Sequence, residues 1–102
     1  MRPPLRQLSE IKIAHLKVKV QEEDELDEAW GIYQRGSKQI KMEKDFPNSE
    51  HRKEVLLHEV LHAILDIYRI ETKDEETLVS QMAVAMMQVM NDNPKLRKYL
   101  YE

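Results

Sequence analysis

His58-Glu59-Val60-Leu61-His62 is the stretch of this chain whose residue types and spacing can do chemistry. The two histidines are four residues apart, which on a helix sets both imidazoles on one face, one turn apart. Two neutral imidazoles so placed can bind one zinc ion (Zn2+) at about 2.0–2.1 Å each. Glu59 directly follows a ligand and points about 100° further round the helix. It would therefore reach a water held by the metal rather than the metal itself. A carboxylate there can act as general base, taking that water's proton as the water attacks an amide carbonyl. Zinc would lower the water's pKa to about 7 and polarise the carbonyl. This is the HExxH arrangement of zinc peptidases. The bland alternative is a pair of hydrogen-bonded core histidines beside an exposed glutamate. The apolar residues around the motif weigh against it, because polar groups in such a setting need partners.

A catalytic zinc site usually has three protein ligands and an open fourth place. No third histidine follows His62, so the remaining ligand is expected to be a downstream carboxylate on another element. Asp74, Glu75 and Glu76 stand at the start of the next predicted helix. Glu75 has a structural role available, as a capping-box residue turned back to Thr72. Glu76 shares a helical face with Val79, Ser80 and Ala83, by the 3, 4 and 7 spacing, and that face should pack on the first helix. Glu76 is therefore the preferred third metal ligand and Glu75 the alternative, with stabilisation of a helix N-terminus as the competing role for both. Asp66, one turn past His62, is either a partner for a ligand histidine or a solvated acid. Tyr33, His51 and Tyr68 are options for steadying an oxyanion, each also explicable as a structural residue. Two histidines and a carboxylate suit iron or nickel as well, so zinc is an expectation rather than a requirement.

These residues need elements to position them. Residues 11–20 read Ile-Lys-Ile-Ala-His-Leu-Lys-Val-Lys-Val, and positions 16, 18 and 20 alternate with lysines, which predicts a strand with one wet face. Residues 30–34 and 39–44 predict two more strands, with Gly36 as the turn residue between them. Asn48 or Ser49 can cap a helix running to about Tyr68. Its apolar residues, from Val55 to Ile67, cover much of its circumference, so a buried central helix is expected. A second long helix is expected from about Lys73 to Met90, with Leu78, Val79, Met82, Ala83, Met86, Val89 and Met90 on its apolar face. Its methionines are read as core packing. Asn93-Pro94 opens a short last helix to about Tyr101.

The fold class expected is α+β, in one domain over residues 1–102. A small, mostly antiparallel three-stranded sheet occupies about 11–44. The HExxH helix, the second long helix and the short C-terminal helix occupy about 49–101.

Composition bounds the function classes. The chain has 102 residues, 41% hydrophobic and 34% charged, ordinary for a globular domain and too apolar for a disordered one. It has no cysteine, so disulfides, thiolate metal sites and cysteine nucleophiles are excluded. No apolar run approaches the roughly 20 residues of a membrane span, and the start lacks the apolar core of a signal peptide. A cytoplasmic protein without membrane contact is therefore expected. A net charge of -3 does not recommend nucleic acid as a direct partner. Six carboxylates lie between Glu22 and Glu28, read as a solvated linking turn, with recruitment of a basic substrate as the alternative.

A short sheet, an HExxH helix, and a following helix that opens with a glutamate together resemble the ImmA/IrrE-type metallopeptidases. The resemblance is to their minimal, phage- and prophage-type versions and covers roughly residues 29–95. The family's second helix carries Glu-x-x-Ala-Asn-x-Phe-Ala. The matching stretch here is Glu76-Thr-Leu-Val79-Ser80-Gln-Met82-Ala83: Glu76 and Ala83 match, Met82 replaces the aromatic, and Val79-Ser80 departs from Ala-Asn. The resemblance implies a minimal zincin-like fold, Glu76 as third zinc ligand, and a peptide or protein substrate, with a helix-turn-helix repressor as one candidate. It also implies that a strand before the HExxH helix holds substrate as an added strand, for which residues 38–44 are the candidate.

The leading functional expectation is zinc-dependent peptide-bond hydrolysis. The alternative is a non-catalytic binding or regulatory module that keeps zinc for stability, because so short a chain has little material for a second cleft wall. A third reading is a metal-free interaction protein that docks a partner through residues 22–28 or the methionine-rich helix.

Overall fold

The computed structural model describes residues 9–24, 26 and 30–102. The elements are β1 (Glu10–Ile13), β2 (Leu16–Glu23), β3 (Gly31–Gln34), β4 (Gln39–Glu43), α1 (Ser49–Ile67), α2 (Glu75–Asp92) and α3 (Pro94–Leu100). The class is α+β, as expected. The sheet is not the expected three-stranded, mostly antiparallel one. It has four strands in the order β1-β2-β4-β3 and is mixed. β1 with β2 and β3 with β4 are antiparallel, whereas β2 and β4 are parallel.

The extra strand arises inside residues 11–20. Ile11 and Ile13 sit at odd positions, and Leu16, Val18 and Val20 at even ones. One continuous strand would point the two sets to opposite faces. A two-residue turn at Ala14-His15 brings them to one face, with Ile13 paired to Leu16. Ala14 has φ 55, the sign that such a hairpin turn needs at its first central residue. In the β3–β4 turn the left-handed residue is Lys38, not the expected Gly36.

β4 carries Ile40 and Met42, both fully buried, and takes a central place between β2 and β3. With Ile13, Val18, Val20 and Ala63 they form the core between the sheet and α1. Each fully buried side chain of this kind contributes about 1.5–3 kcal/mol. Of the acidic stretch, Glu22 and Glu23 end β2, and Glu23 pairs with Lys41 Nζ at 3.1 Å. Glu25, Asp27 and Glu28 lie outside the described residues.

Asn48 caps α1, its Oδ1 accepting from the His51 N–H at 2.7 Å. α1 is not the buried central helix that its apolar residues predict. Only Glu59 and Ala63 are buried, because the sheet covers one side and α2 only part of the other. α2 begins at Glu75 with Asp74 as its N-cap, accepting from the Thr77 N–H at 3.1 Å. The expected Thr72–Glu75 capping box is therefore replaced by a cap one residue from Glu75, which frees the Glu75 side chain. On α2 only Val79 and Ala83 are buried, while Leu78, Met82 and Val89, expected on the packed face, are exposed. Among the described residues no helix is long and apolar enough to cross a membrane.

Candidate metal centre

α1 lies close against β3, and Gly31 makes that approach possible. A Cβ on Gly31 would stand 2.9 Å from Val55 Cγ1, 3.1 Å from Met42 Sδ and 3.3 Å from Glu59 Cγ. The bare backbone lets the middle turns of α1, which carry His58, Glu59 and His62, settle on the strand. A glycine inside a strand is a sequence signal of close approach, and here it went unused.

β3 is the edge of the sheet among the described residues. The Trp30 carbonyl accepts from the Glu43 N–H at 2.8 Å. By antiparallel alternation Ile32 and Gln34 bond β4, while Gly31 and Tyr33 turn their backbone groups to the outer edge. Residues 38–44, expected to hold an added strand, cannot do so, because β4 is hydrogen-bonded on both sides. β3 is an outer strand, and of its outward groups the Tyr33 N–H donates to Glu59.

α1 and α2 bring His58, His62 and Glu76 together. His58 Nε2 lies 2.9 Å from Glu76 Oε1, and His62 Nε2 lies 2.8 Å from Glu76 Oε2. The two Nε2 atoms are 3.2 Å apart. Ligand atoms about 2.0–2.1 Å from a tetrahedral ion are separated by about 3.3 Å, so these spacings suit one small ion. The three residues form a group that can hold a metal ion, all its ligand atoms lying within 4.8 Å of one another. Val79 and Ala83 seat α2 on α1, and Glu76, one turn earlier on that face, projects to the histidines. The Glu76 side chain is 68% exposed, so the site opens to solvent on that side.

Glu75 takes a different place. Its Oε2 lies 2.6 Å from His62 Nδ1, on the opposite edge of the ring from Glu76. Burial depresses the His62 pKa, but hydrogen bonds to Glu75 and Glu76 and the Glu59 charge outweigh it and hold the pKa above its ordinary value.

Glu59 is 7% exposed. Burial raises its carboxyl above the usual range, opposed by His58 and His62, reinforced by Glu76, and opposed again by a hydrogen bond from the Tyr33 backbone N–H. Glu59, both histidines, Glu75, Glu76, Tyr33 and Arg35 line one cavity of about 260 Å³.

Asp66 hydrogen-bonds neither His58 nor His62. It accepts from Tyr33 Oη at 2.7 Å, Lys38 Nζ at 2.6 Å and Arg35 Nε at 3.2 Å. Burial, the Asp66 hydrogen bond and the Asp66 charge together raise the Tyr33 pKa well above that of a free phenol. Of the other options at the oxyanion, His51 stacks edge-on against Trp30 and Phe46, at ring separations of 5.1 and 5.5 Å. Tyr68 is the exposed C-cap of α1. Neither reaches the cavity. Arg35, which does, was not foreseen, and a lone arginine beside a turn gives no local signal.

Comparison of the chain with known protein families, with curated proteins and with solved structures finds no match.

Proposed function

We propose that this protein is a zinc-dependent peptidase with Glu59 as its general base. The observation that carries the reading is the convergence of His58, His62 and Glu76 beside a buried carboxylate at an outer strand. His58 Nε2, His62 Nε2 and Glu76 would hold the ion. When bound, zinc would supply Lewis-acid polarisation and make water a nucleophile near neutral pH.

The residues of the chain do the rest. An extended peptide pairs with the outward groups of Gly31 and Tyr33. Glu59 accepts a proton from water as the carbonyl is attacked, then passes it to the leaving amine. Burial raises its pKa above the ordinary carboxylate range, the direction that favours a carboxylate as proton acceptor. The backbone N–H of Tyr33, which donates to Glu59 in the absence of substrate, would pair with the peptide instead. The resemblance to ImmA/IrrE-type metallopeptidases supports the same ligand set and suggests a repressor-type protein as substrate.

The test is Glu59→Gln in protein loaded with zinc. It should keep one zinc per chain and lose cleavage of an unfolded protein substrate. Cleavage at the wild-type rate would remove Glu59 from the mechanism. One observation favours a second reading, a non-catalytic binding module stabilised by zinc: Glu59 is 7% exposed and already bonded to the strand. A zinc-loaded wild type that cleaves no substrate supports that reading over the first.

A further inference from the structure

Where α1 ends, its last turn and the β1–β2 and β3–β4 turns enclose a cavity of about 570 Å³, within the range of ligand sites. Its titratable lining is His15, Arg35, Lys38, Asp66, Arg69 and Glu71. Arg35 also lines the cavity of the metal centre, so the two spaces meet at that side chain.

Three non-glycine residues among those described have a left-handed backbone, Ala14, Lys38 and Arg69, each with φ 55. All three stand at this cavity. Lys38 and Arg69 line it, and Ala14 precedes His15, which also does. Arg69 occupies the position just beyond the C-cap of α1. Its N–H bonds the Asp66 carbonyl at 3.2 Å, and the Ile70 N–H bonds the Leu65 carbonyl at 2.8 Å. Glycine is the usual residue in this motif, because a Cβ strains the left-handed conformation. An arginine in this strained position points to a use for its side chain.

The charges favour an anion. Three cations, Arg35, Lys38 and Arg69, face two acids, Asp66 and Glu71. Asp66 takes Lys38 Nζ and only the Nε of Arg35, which leaves the terminal nitrogens of Arg35 without a partner among the described residues. Arg69 has no ion pair among them.

We propose that this cavity is a carboxylate subsite for the bound peptide, gripped by Arg69 and the terminal nitrogens of Arg35. The identity of the ligand rests on the peptidase reading; the site itself does not. Arg35 stands two residues beyond Tyr33, about 7 Å of extended chain. The recognised carboxylate therefore lies two or more residues from the bond presented to Glu59. The protein would select acidic peptides, through a side chain or a free C-terminus.

Fluorescence anisotropy of labelled hexapeptides tests this on the full zinc-loaded chain carrying Glu59→Gln to prevent turnover. The probes are an amidated alanine-based peptide with one Glu, its Gln twin, and the Gln twin with a free C-terminal carboxylate. One or both charged probes should bind about tenfold tighter than the neutral one, as charge-assisted hydrogen bonds allow. Which one does so distinguishes side chain from terminus. Arg69→Gly should abolish the preference while the melting temperature holds or rises, since glycine relaxes that backbone. Arg69→Lys should keep part of it. Equal binding of charged and neutral probes, binding of none, or a preference that survives both Arg69→Gly and Arg35→Gln would overturn the proposal. So would inorganic phosphate binding where no peptide binds. Zinc content read on the same samples separates the two claims. A preference without zinc uptake sinks the peptidase and leaves the subsite; zinc uptake without a preference does the reverse.

Discussion

Glu75 Oε2 and His62 Nδ1 lie 2.6 Å apart, and this contact sets which face of the imidazole is free for a metal. With Nδ1–H donating to Glu75, Nε2 is the ring nitrogen that faces His58 and Glu76, and its lone pair would be the one offered to a bound ion. Adjacent carboxylates thus take separate places, Glu76 beside the two Nε2 atoms and Glu75 behind the ring. Outer partners of this kind typically carry 10–100-fold of metal affinity. Glu75→Ala should therefore weaken zinc binding by about that factor in competition with a chromogenic chelator, while one zinc per chain still binds at saturation. Unchanged affinity would make the contact incidental.

Direct ligands should behave differently. Metal that binds only the folded chain stabilises it, by about 4 kcal/mol at a thousandfold excess over Kd. Zinc should raise the melting temperature of the wild type, and a chelator should reverse the rise. In His58→Ala and Glu76→Ala the rise should be largely gone, because each variant leaves two ligands. A full thermal shift in either would show that the residue is not a ligand.

Gly31 and Gly36 make a matched pair. A methyl at Gly31 meets Val55, Met42 and Glu59 closely, whereas one at Gly36 meets nothing within 4 Å. Gly31→Ala must part β3 from α1, and overpacking of this sort costs about 1–3 kcal/mol. Gly36→Ala, with no left-handed φ to strain, should stay within about 0.5 kcal/mol of wild type. Urea unfolding reads both. Equal stabilities for the two variants would mean that α1 can shift without loss.

What was legible in the chain follows from range. The helix that presents His58 and His62 is a local periodicity, and Asn48, Val55 and Ile64 mark it without reference to anything distant. Glu76 was legible for the same reason, through its spacing to Val79 and Ala83. The hairpin at Ala14 was locally encoded too, in the phase change between Ile13 and Leu16, but lysine alternation on either side masks it. The parallel pairing of Val20 with Ile40 joins residues across an intervening strand, and no local spacing encodes that. The exchange of β4 for β3 as the outer strand follows from the same pairing. Arg69 was hidden for the opposite reason: the local rule asks for glycine, and the residue present breaks it.

The cluster at Asp66 predicts a pH dependence. Asp66 ties Tyr33 and Lys38, from β3 and the turn after it, to α1, and its side chain is 14% exposed. Burial opposes ionisation, but hydrogen bonds from Lys38 and Tyr33 and the charges of Lys38 and Arg35 hold its pKa below the ordinary carboxylate value. A group depressed in the folded state binds a proton more readily when unfolded. Its stabilisation is therefore fully present above the unfolded value near about 3.9 and is lost as pH falls through the lower folded value. Asp66→Asn mimics the protonated side chain. The stability gap between wild type and Asp66→Asn, from urea unfolding without added metal, should be constant above about pH 5 and shrink below about pH 4. A gap that stays constant to the acid limit would mean that Lys38 and Arg35 do not bias the ionisation of Asp66, and that the cluster holds β3 by packing alone.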